Sequence, residues 1–249
     1  MKEESHVPTR KERRKLARQG TTPTTLQQKI NFELKHFSPL THNQRRTFDA
    51  YRDGKNLMLH GAAGTGKSFI SIYLALDEIL NKNSEYKKLV IVRSAVPTRD
   101  IGFMPGNARE KMMSYEAPYY PICSEIFGRG DAYEYLKSKH LVEFLPTSFV
   151  RGTTISGAIV IVDEIANLTL HELDSIITRV GKNCRIIFCG DFHQSDFTSQ
   201  RDRSGLRDFM KIVEHLESFT CVDFTHADIV RSGLVREYLI TKDELGITC

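Results

Sequence analysis

Eight consecutive residues, Gly61-Ala62-Ala63-Gly64-Thr65-Gly66-Lys67-Ser68, carry the spacing G-x-x-x-x-G-K-[ST]. Glycines at these positions let backbone N–H groups wrap a polyphosphate, and the start of a following helix adds positive potential. Lys67 is placed to reach the β- and γ-phosphates, and the Ser68 hydroxyl is an oxygen ligand for Mg²⁺. Downstream, Ile159-Val160-Ile161-Val162 runs into Asp163-Glu164. Asp163 suits the shell of the Mg²⁺, and Glu164 suits the orientation and deprotonation of an attacking water. A third polar group follows a third apolar run at Gly190-Asp191-Phe192-His193-Gln194, where Gln194 is placed to reach the γ-phosphate and His193 reads as a surface or capping imidazole. No His-Glu-x-x-His, Cys/His cluster or nucleophile constellation occurs, and Asn81-Lys82-Asn83 is followed by Ser84, so the N-K-x-D reader of guanine is missing. ATP is the expected nucleotide.

These residues do their chemistry only at the carboxyl ends of strands, and the apolar pattern supplies the strands. Residues 56–60 (NLMLH) read as a strand before the glycine loop, and residues 68–80 as a largely buried helix after it. Residues 88–93, 141–145, 158–162, 185–189 and 219–224 are further strands, several of them uninterrupted runs that suit a parallel sheet covered on both faces. Helices are expected over 42–52, about 107–113 and 122–139. Another is expected from a Thr169/Glu172 capping box to Gly181, and one more opening at Ser204. Alternation of strands and helices implies an α/β fold with a mainly parallel sheet.

Composition sets the outer bounds. The chain has 249 residues, 40% of them hydrophobic, and 35 Lys and Arg against 31 Asp and Glu. The first 20 residues hold seven basic and three acidic side chains, so their net +4 equals that of the whole chain and residues 21–249 are formally neutral. A histone-like basic surface is excluded, and a grip on nucleic acid has to come from the arm or from local patches. Residues 1–20 are expected as a mobile basic arm and residues 21–249 as one folded domain. No apolar run reaches the ~20 residues of a membrane span, and no secretory signal precedes the fold. Five cysteines without a C-x-x-C pair read as reduced, mostly buried thiols of a cytoplasmic protein.

Several motifs together resemble the PhoH-like P-loop ATPases, relatives of the first RecA-like lobe of superfamily 1 helicases, over most of residues 40–240. They are Leu40-Thr41-x-x-Gln44, the glycine loop, Val92-Arg93-x-Ala95-Val96, Ile101-Gly102-Phe103-Met104-Pro105-Gly106, and Glu110-Lys111-Met112. Arg151-Gly152, Gly190-Asp191-x-x-Gln194, Ser204-Gly205-Leu206 and Asp228-Ile229-Val230-Arg231-x-x-Leu234-Val235 complete the set. The resemblance implies a RecA-like P-loop NTPase, a mainly parallel sheet with helices on both faces in a single domain. It implies ATP and Mg²⁺ as ligands, hydrolysis with a possible helicase-like output, and RNA or single-stranded DNA as partner. It also implies that Gln44 meets the adenine edge, that Arg231 touches the γ-phosphate as a sensor or finger, and that Arg93 and Arg151 contact nucleic acid or a neighbouring subunit. Two departures stand out. Ile165-Ala166-Asn167 follows the acidic pair where the family has Ala-Gln-Asn, and Ser94 replaces a proline after Arg93. A chain of one-lobe length needs a partner to close its ATP site, so a homo-oligomer, in one form a hexameric ring, is expected. The alternative is a nucleotide-switched binding module with slow hydrolysis and a protein partner.

Overall fold

Leu89-Val90-Ile91-Val92 and Ile159-Val160-Ile161-Val162 offer no polar alternation, so both faces of each run need cover, which only the interior of a parallel sheet provides. The computed structural model describes residues 32–94, 108–191 and 200–246. In chain order its elements are α1 (His42–Arg52), β1 (Asn56–Gly61), α2 (Lys67–Leu80), β2 (Lys88–Arg93), α3 (Ala108–Glu116), α4 (Tyr119–Phe127), α5 (Ala132–Ser138) and β3 (Val142–Pro146). There follow α6 (Thr147–Val150), β4 (Ala158–Val162), α7 (Leu170–Ile177), β5 (Cys184–Gly190), α8 (Gln200–Glu214), β6 (Phe219–Phe224) and α9 (Gly233–Glu244). Short 3-10 turns lie at Ile165–Asn167 and His226–Asp228.

The six strands form one sheet in the order β3-β2-β4-β5-β1-β6, and every pairing is parallel. This is the RecA-like P-loop arrangement, in which the glycine loop follows β1, the acidic pair follows β4, and β5 separates the two. Two strand spacings put those carboxyl ends roughly 10 Å apart. The register brings them level, because Val162 pairs with Phe188 and Phe188 with Met58, so Asp163 stands one residue beyond that row while β1 continues to Gly61.

One face of the sheet presents Met58, Val90, Val92, Val160, Val162, Ile186 and Phe188 to Leu173 and Ile176 of α7 and to Leu206, Phe209 and Val213 of α8. The alternate residues Leu57, Leu59, Leu89, Ile91, Ile159, Ile161 and Ile187 are equally buried and point the other way, toward α2, whose Ser71 hydroxyl meets the Cys189 thiol at 3.1 Å. Helices therefore cover both faces. Among the described residues no cysteine is in a disulfide; Cys123 and Cys189 are buried, Cys184 and Cys221 half-buried.

The structure differs from the sequence expectation at several helices. The helix expected over 122–139 is two, α4 and α5, because Gly128 takes a left-handed conformation (φ +67°) and ends α4. Helix α7 stops at Ile177, and Val180 instead bridges Ile155 in parallel fashion. Helix α8 starts at Gln200, four residues before Ser204, and α6 and α9 had no counterpart in the sequence reading. The expected arm over residues 1–20, the 101–106 motif, His193 and Gln194 lie outside the described residues.

Phe188 is fully buried, edge-on to Phe209 (5.1 Å between ring centres) and beside Phe219 (6.1 Å). Phe188→Ala is expected to cost about 3–5 kcal/mol of folding free energy in urea titrations.

Candidate nucleotide-binding site

The loop after β1 is shaped by its glycines and by β6. Gly61 has φ +109°, and a Cβ there would stand 2.0 Å from the carbonyl oxygen of Phe224, so no side chain fits. Directly after it, the Ala62 N–H donates to that same carbonyl at 2.8 Å. Thr65 Oγ1 donates to the Ala62 carbonyl at 2.9 Å, and Gly66, also left-handed (φ +84°), opens α2 without a side-chain cap. The first-turn N–H groups of α2 are thereby left for an anion.

Lys67 Nζ lies over this loop and donates to the carbonyls of Gly61 (2.8 Å) and Ala62 (2.7 Å). Burial draws the ammonium below its ordinary pKa, opposed by the negative charge of Asp191, Glu164 and Asp163.

Asp163 is the meeting point of the other elements. Only 5% exposed, it accepts from Ser68 Oγ on Oδ1 (2.8 Å) and from the Tyr119 hydroxyl on Oδ2 (3.0 Å), while its N–H donates to the Val92 carbonyl (2.9 Å). A hydroxyl and a carboxylate converging from two elements fit Mg²⁺, a hard cation that keeps several waters and takes few protein ligands. Among the described residues no group of three or more His, Cys, Asp or Glu is arranged to hold a metal. Next along, Glu164 is held at φ +55°, an unusual conformation for a non-glycine residue, with Arg93 Nη2 3.9 Å from its Oε1. Burial and, after it, the charge of Asp163 raise the Glu164 carboxyl above its ordinary pKa, while Arg93 and Lys67 oppose them. Asp191, at the end of β5, is buried as well.

A frame outside the loop holds its shape. Gln44 accepts from the Leu40 N–H (2.7 Å) and donates to the Thr65 carbonyl (3.1 Å), so the amide expected to meet adenine braces the phosphate loop here. The Val230 N–H donates to the Gly64 carbonyl (3.1 Å), and the Arg231 side chain crosses Gly64 so closely that a Cβ there would lie 2.9 Å from its Cγ. Asp228 fastens this frame: its Oδ2 accepts from Asn43 Nδ2 (2.8 Å) and from the Thr225 N–H (3.0 Å).

Of the residues expected to act, the structure thus brings together Lys67, Ser68, Asp163, Glu164 and Arg93, with Gln44 and Arg231 against the loop. Arg151 is apart from them, exposed and in contact with His171. Ser204-Gly205-Leu206 has a packing explanation, since a Cβ on Gly205 would lie 3.0 Å from Leu170 Cβ and Leu206 is core. Position 166, where the resemblance implies glutamine, is a buried alanine. Sequence reasoning missed Tyr119; the aromatic tract after Pro118 was visible, but no spacing ties it to Asp163.

A family model described as PhoH-like protein matches residues 36–241. The PhoH-like protein of Bacillus subtilis is 29% identical over 205 residues, 82% of this chain and 63% of that one. Protein PhoH of Escherichia coli K12 is 32% identical over 181 residues, 72% and 50% of the two chains. The chain thus spans between half and two thirds of the length of these relatives. Among solved structures, the large terminase of a thermophilic bacteriophage in complex with ADP aligns at 12% identity and TM-score 0.48, covering 80% of this chain and 49% of that one.

Burial alone would raise the Asp228 carboxyl, but hydrogen bonds from Thr41, Asn43 and Thr225 bring it below its ordinary value. Its stabilisation is therefore complete above the ordinary aspartate range and is lost as pH falls through the lowered value. Asp228→Ala is expected to cost about 1–3 kcal/mol at pH 7, the deficit shrinking below about pH 4, as read from urea midpoints across pH.

Proposed function

The chain belongs to the PhoH-like protein family, and from that premise we propose that it is an ATP-binding, Mg²⁺-dependent ATPase acting on RNA or another single-stranded nucleic acid as an oligomer. The Ser68–Asp163 hydrogen bond of 2.8 Å carries this reading, because it joins the two motifs that together hold a metal and a polyphosphate. ATP enters over the glycine loop, where the first-turn N–H groups of α2 receive phosphate oxygens and Lys67 exchanges its carbonyl partners for them. Ser68 and Asp163 hold Mg²⁺, which supplies neutralisation of the phosphate charge when bound. Glu164, whose carboxyl is raised above its ordinary pKa, orients the water and takes its proton. Arg231, lying across Gly64, is assigned the contact with the terminal phosphate, and Gln194 the sensing of hydrolysis. Gln44 links the loop to the adenine side.

For the nucleic-acid partner, Arg93 at the end of β2 and the exposed Arg151 after α6 are the assigned contacts. Assembly is supported by α9, which buries none of its residues and leaves Leu234 and Tyr238 exposed on the segment that follows the Val230–Gly64 contact. No helix among the described residues is long and apolar enough to cross a membrane. The Arg93–Glu164 contact favours a second reading, a nucleotide-switched module, because a carboxylate facing a guanidinium is a weaker base and hydrolysis would be slow.

Phosphate release from Lys67→Ala and Glu164→Gln proteins is expected to fall about a hundredfold or more, with nucleotide binding weakened in the first and retained in the second. Undiminished release from either overturns the ATPase assignment. Turnover of the unaltered chain with and without single-stranded RNA separates the two readings: stimulation supports the first, slow and unresponsive hydrolysis the second.

A further inference from the structure

Tyr119 lies outside every motif that the sequence displays, yet its phenol is the second partner of the metal-site aspartate. The residue is fully buried on α4, its ring 6.3 Å from that of Tyr133 and 6.0 Å from that of Phe144. A buried phenol needs a hydrogen-bond partner, and many neutral acceptors would satisfy one. Here the oxygen stands between two charged groups. Its hydrogen goes to Asp163 Oδ2 at 3.0 Å, and the Arg93 guanidinium faces the same phenol and opposes the rise of its pKa. Arg93 in turn stands 3.9 Å from Glu164. A continuous polar chain thus runs Ser68–Asp163–Tyr119–Arg93–Glu164, from the hydroxyl that faces the phosphates to the carboxylate assigned to the water.

We propose that Tyr119 is the positioning residue of this site: by holding Asp163 Oδ2 it turns Oδ1 toward Ser68 and the metal, and by holding the Arg93 guanidinium it fixes the group that pairs with Glu164. The inference rests on the ATPase reading for its second half only. Asp163 has two oxygens, and Ser68 engages one of them. With the other untethered, the carboxylate is free to rotate about its last torsion, and the Mg²⁺-binding oxygen is no longer presented in one place. Outer-shell partners of metal-binding carboxylates commonly change metal affinity or activity by about 10- to 100-fold. Arg93 has a corresponding dependence. Without the phenol it keeps Glu164 as its remaining named partner, and a tighter pair holds the base away from water. Metal placement and release of the base are thereby coupled through one hydroxyl.

Tyr119→Phe removes that hydroxyl and keeps the ring, so packing against Tyr133 and Phe144 remains. The full chain is used, with mant-ADP as the probe. Metal-free affinity is expected to stay unchanged, while the Mg²⁺ concentration that half-saturates the metal-dependent tightening rises about tenfold. Turnover at saturating Mg²⁺ falls about tenfold, and the thermal midpoint moves by no more than about 4 °C. Arg93→Gln lowers turnover without moving the Mg²⁺ midpoint, and the double variant loses less than the product of the two single effects. A Tyr119→Phe protein with the wild-type Mg²⁺ midpoint, or one that only melts earlier, overturns the proposal and leaves Tyr119 a packing residue. Mant-ADP bound by the unaltered chain without turnover would instead defeat the ATPase reading, and the Mg²⁺ midpoint would still decide the role of Tyr119.

Discussion

A carboxylate withdrawn from water has to be answered by donors, and at Asp163 the answer determines how the rest of the sheet is arranged. The group is 5% exposed at the end of a strand whose five residues are all buried, so water contributes little to its solvation. Leaving such a charge unpaired costs several kcal/mol. Its donors arrive from elements far apart in the chain: Ser68 from the first turn of α2, Tyr119 from α4. That convergence requires β1 and β4 to end level across the intervening β5, which the parallel register provides. The fold and the site are therefore one construction, since the buried runs that dictate the sheet also carry the acidic pair to the edge where α2 begins.

The glycine loop is held from the opposite side. Phe224 receives the Ala62 N–H, Val230 donates to Gly64, and Gln44 donates to Thr65, so β6, the segment after it and α1 each fix one part of the loop. Asp228 then binds α1 to the segment after β6 through Asn43 and Thr225. A loop braced at three points presents its N–H groups with little reorganisation, which is the property that makes preformed donors effective for a developing charge. The same bracing gives the Gln44 amide a part in holding the loop beside the adenine contact that the resemblance implies. Its position four residues after Leu40, at the start of a helix capped by Thr41, aims the amide at the loop backbone first.

Local patterns were legible where one element alone decides the outcome. The strand of residues 158–162 and the Thr169/Glu172 capping box stand as read, because an apolar run and a side-chain cap are settled within a few residues. The glycine loop was legible for the same reason. What the sequence did not show depends on distant partners. Gly128 divides α4 from α5 by its left-handed conformation, within residues 122–139 that read as one helix. Helix α9 buries no residue, so no apolar face marked it. Tyr119 reaches Asp163 across 44 residues, and only the packing of α4 against α2 and α5 makes the two neighbours. Arg151 and Arg93 share one expected role, contact with nucleic acid or a neighbouring subunit, yet Arg93 faces Glu164 from the end of β2 and Arg151 meets His171 after α6.

Charge balance at the sheet edge bears on the metal requirement of the proposed reaction. Lys67 feels three carboxylates, Asp191, Glu164 and Asp163, and Arg93, a further cation beside Glu164, also acts on Tyr119. A polyphosphate approaching this edge meets repulsion from those carboxylates as well as attraction from Lys67 and the α2 amides, and at low local dielectric neither is well screened. A monovalent cation would neutralise too little of that charge to reverse the balance, whereas a dication held by Asp163 and Ser68 would turn the carboxylate from a repulsive neighbour into a ligand. On the proposed reading, nucleotide affinity at this site would be metal-dependent for an electrostatic reason that precedes any chemistry, and whatever fixes the direction of Asp163 would also set how strongly the metal is felt.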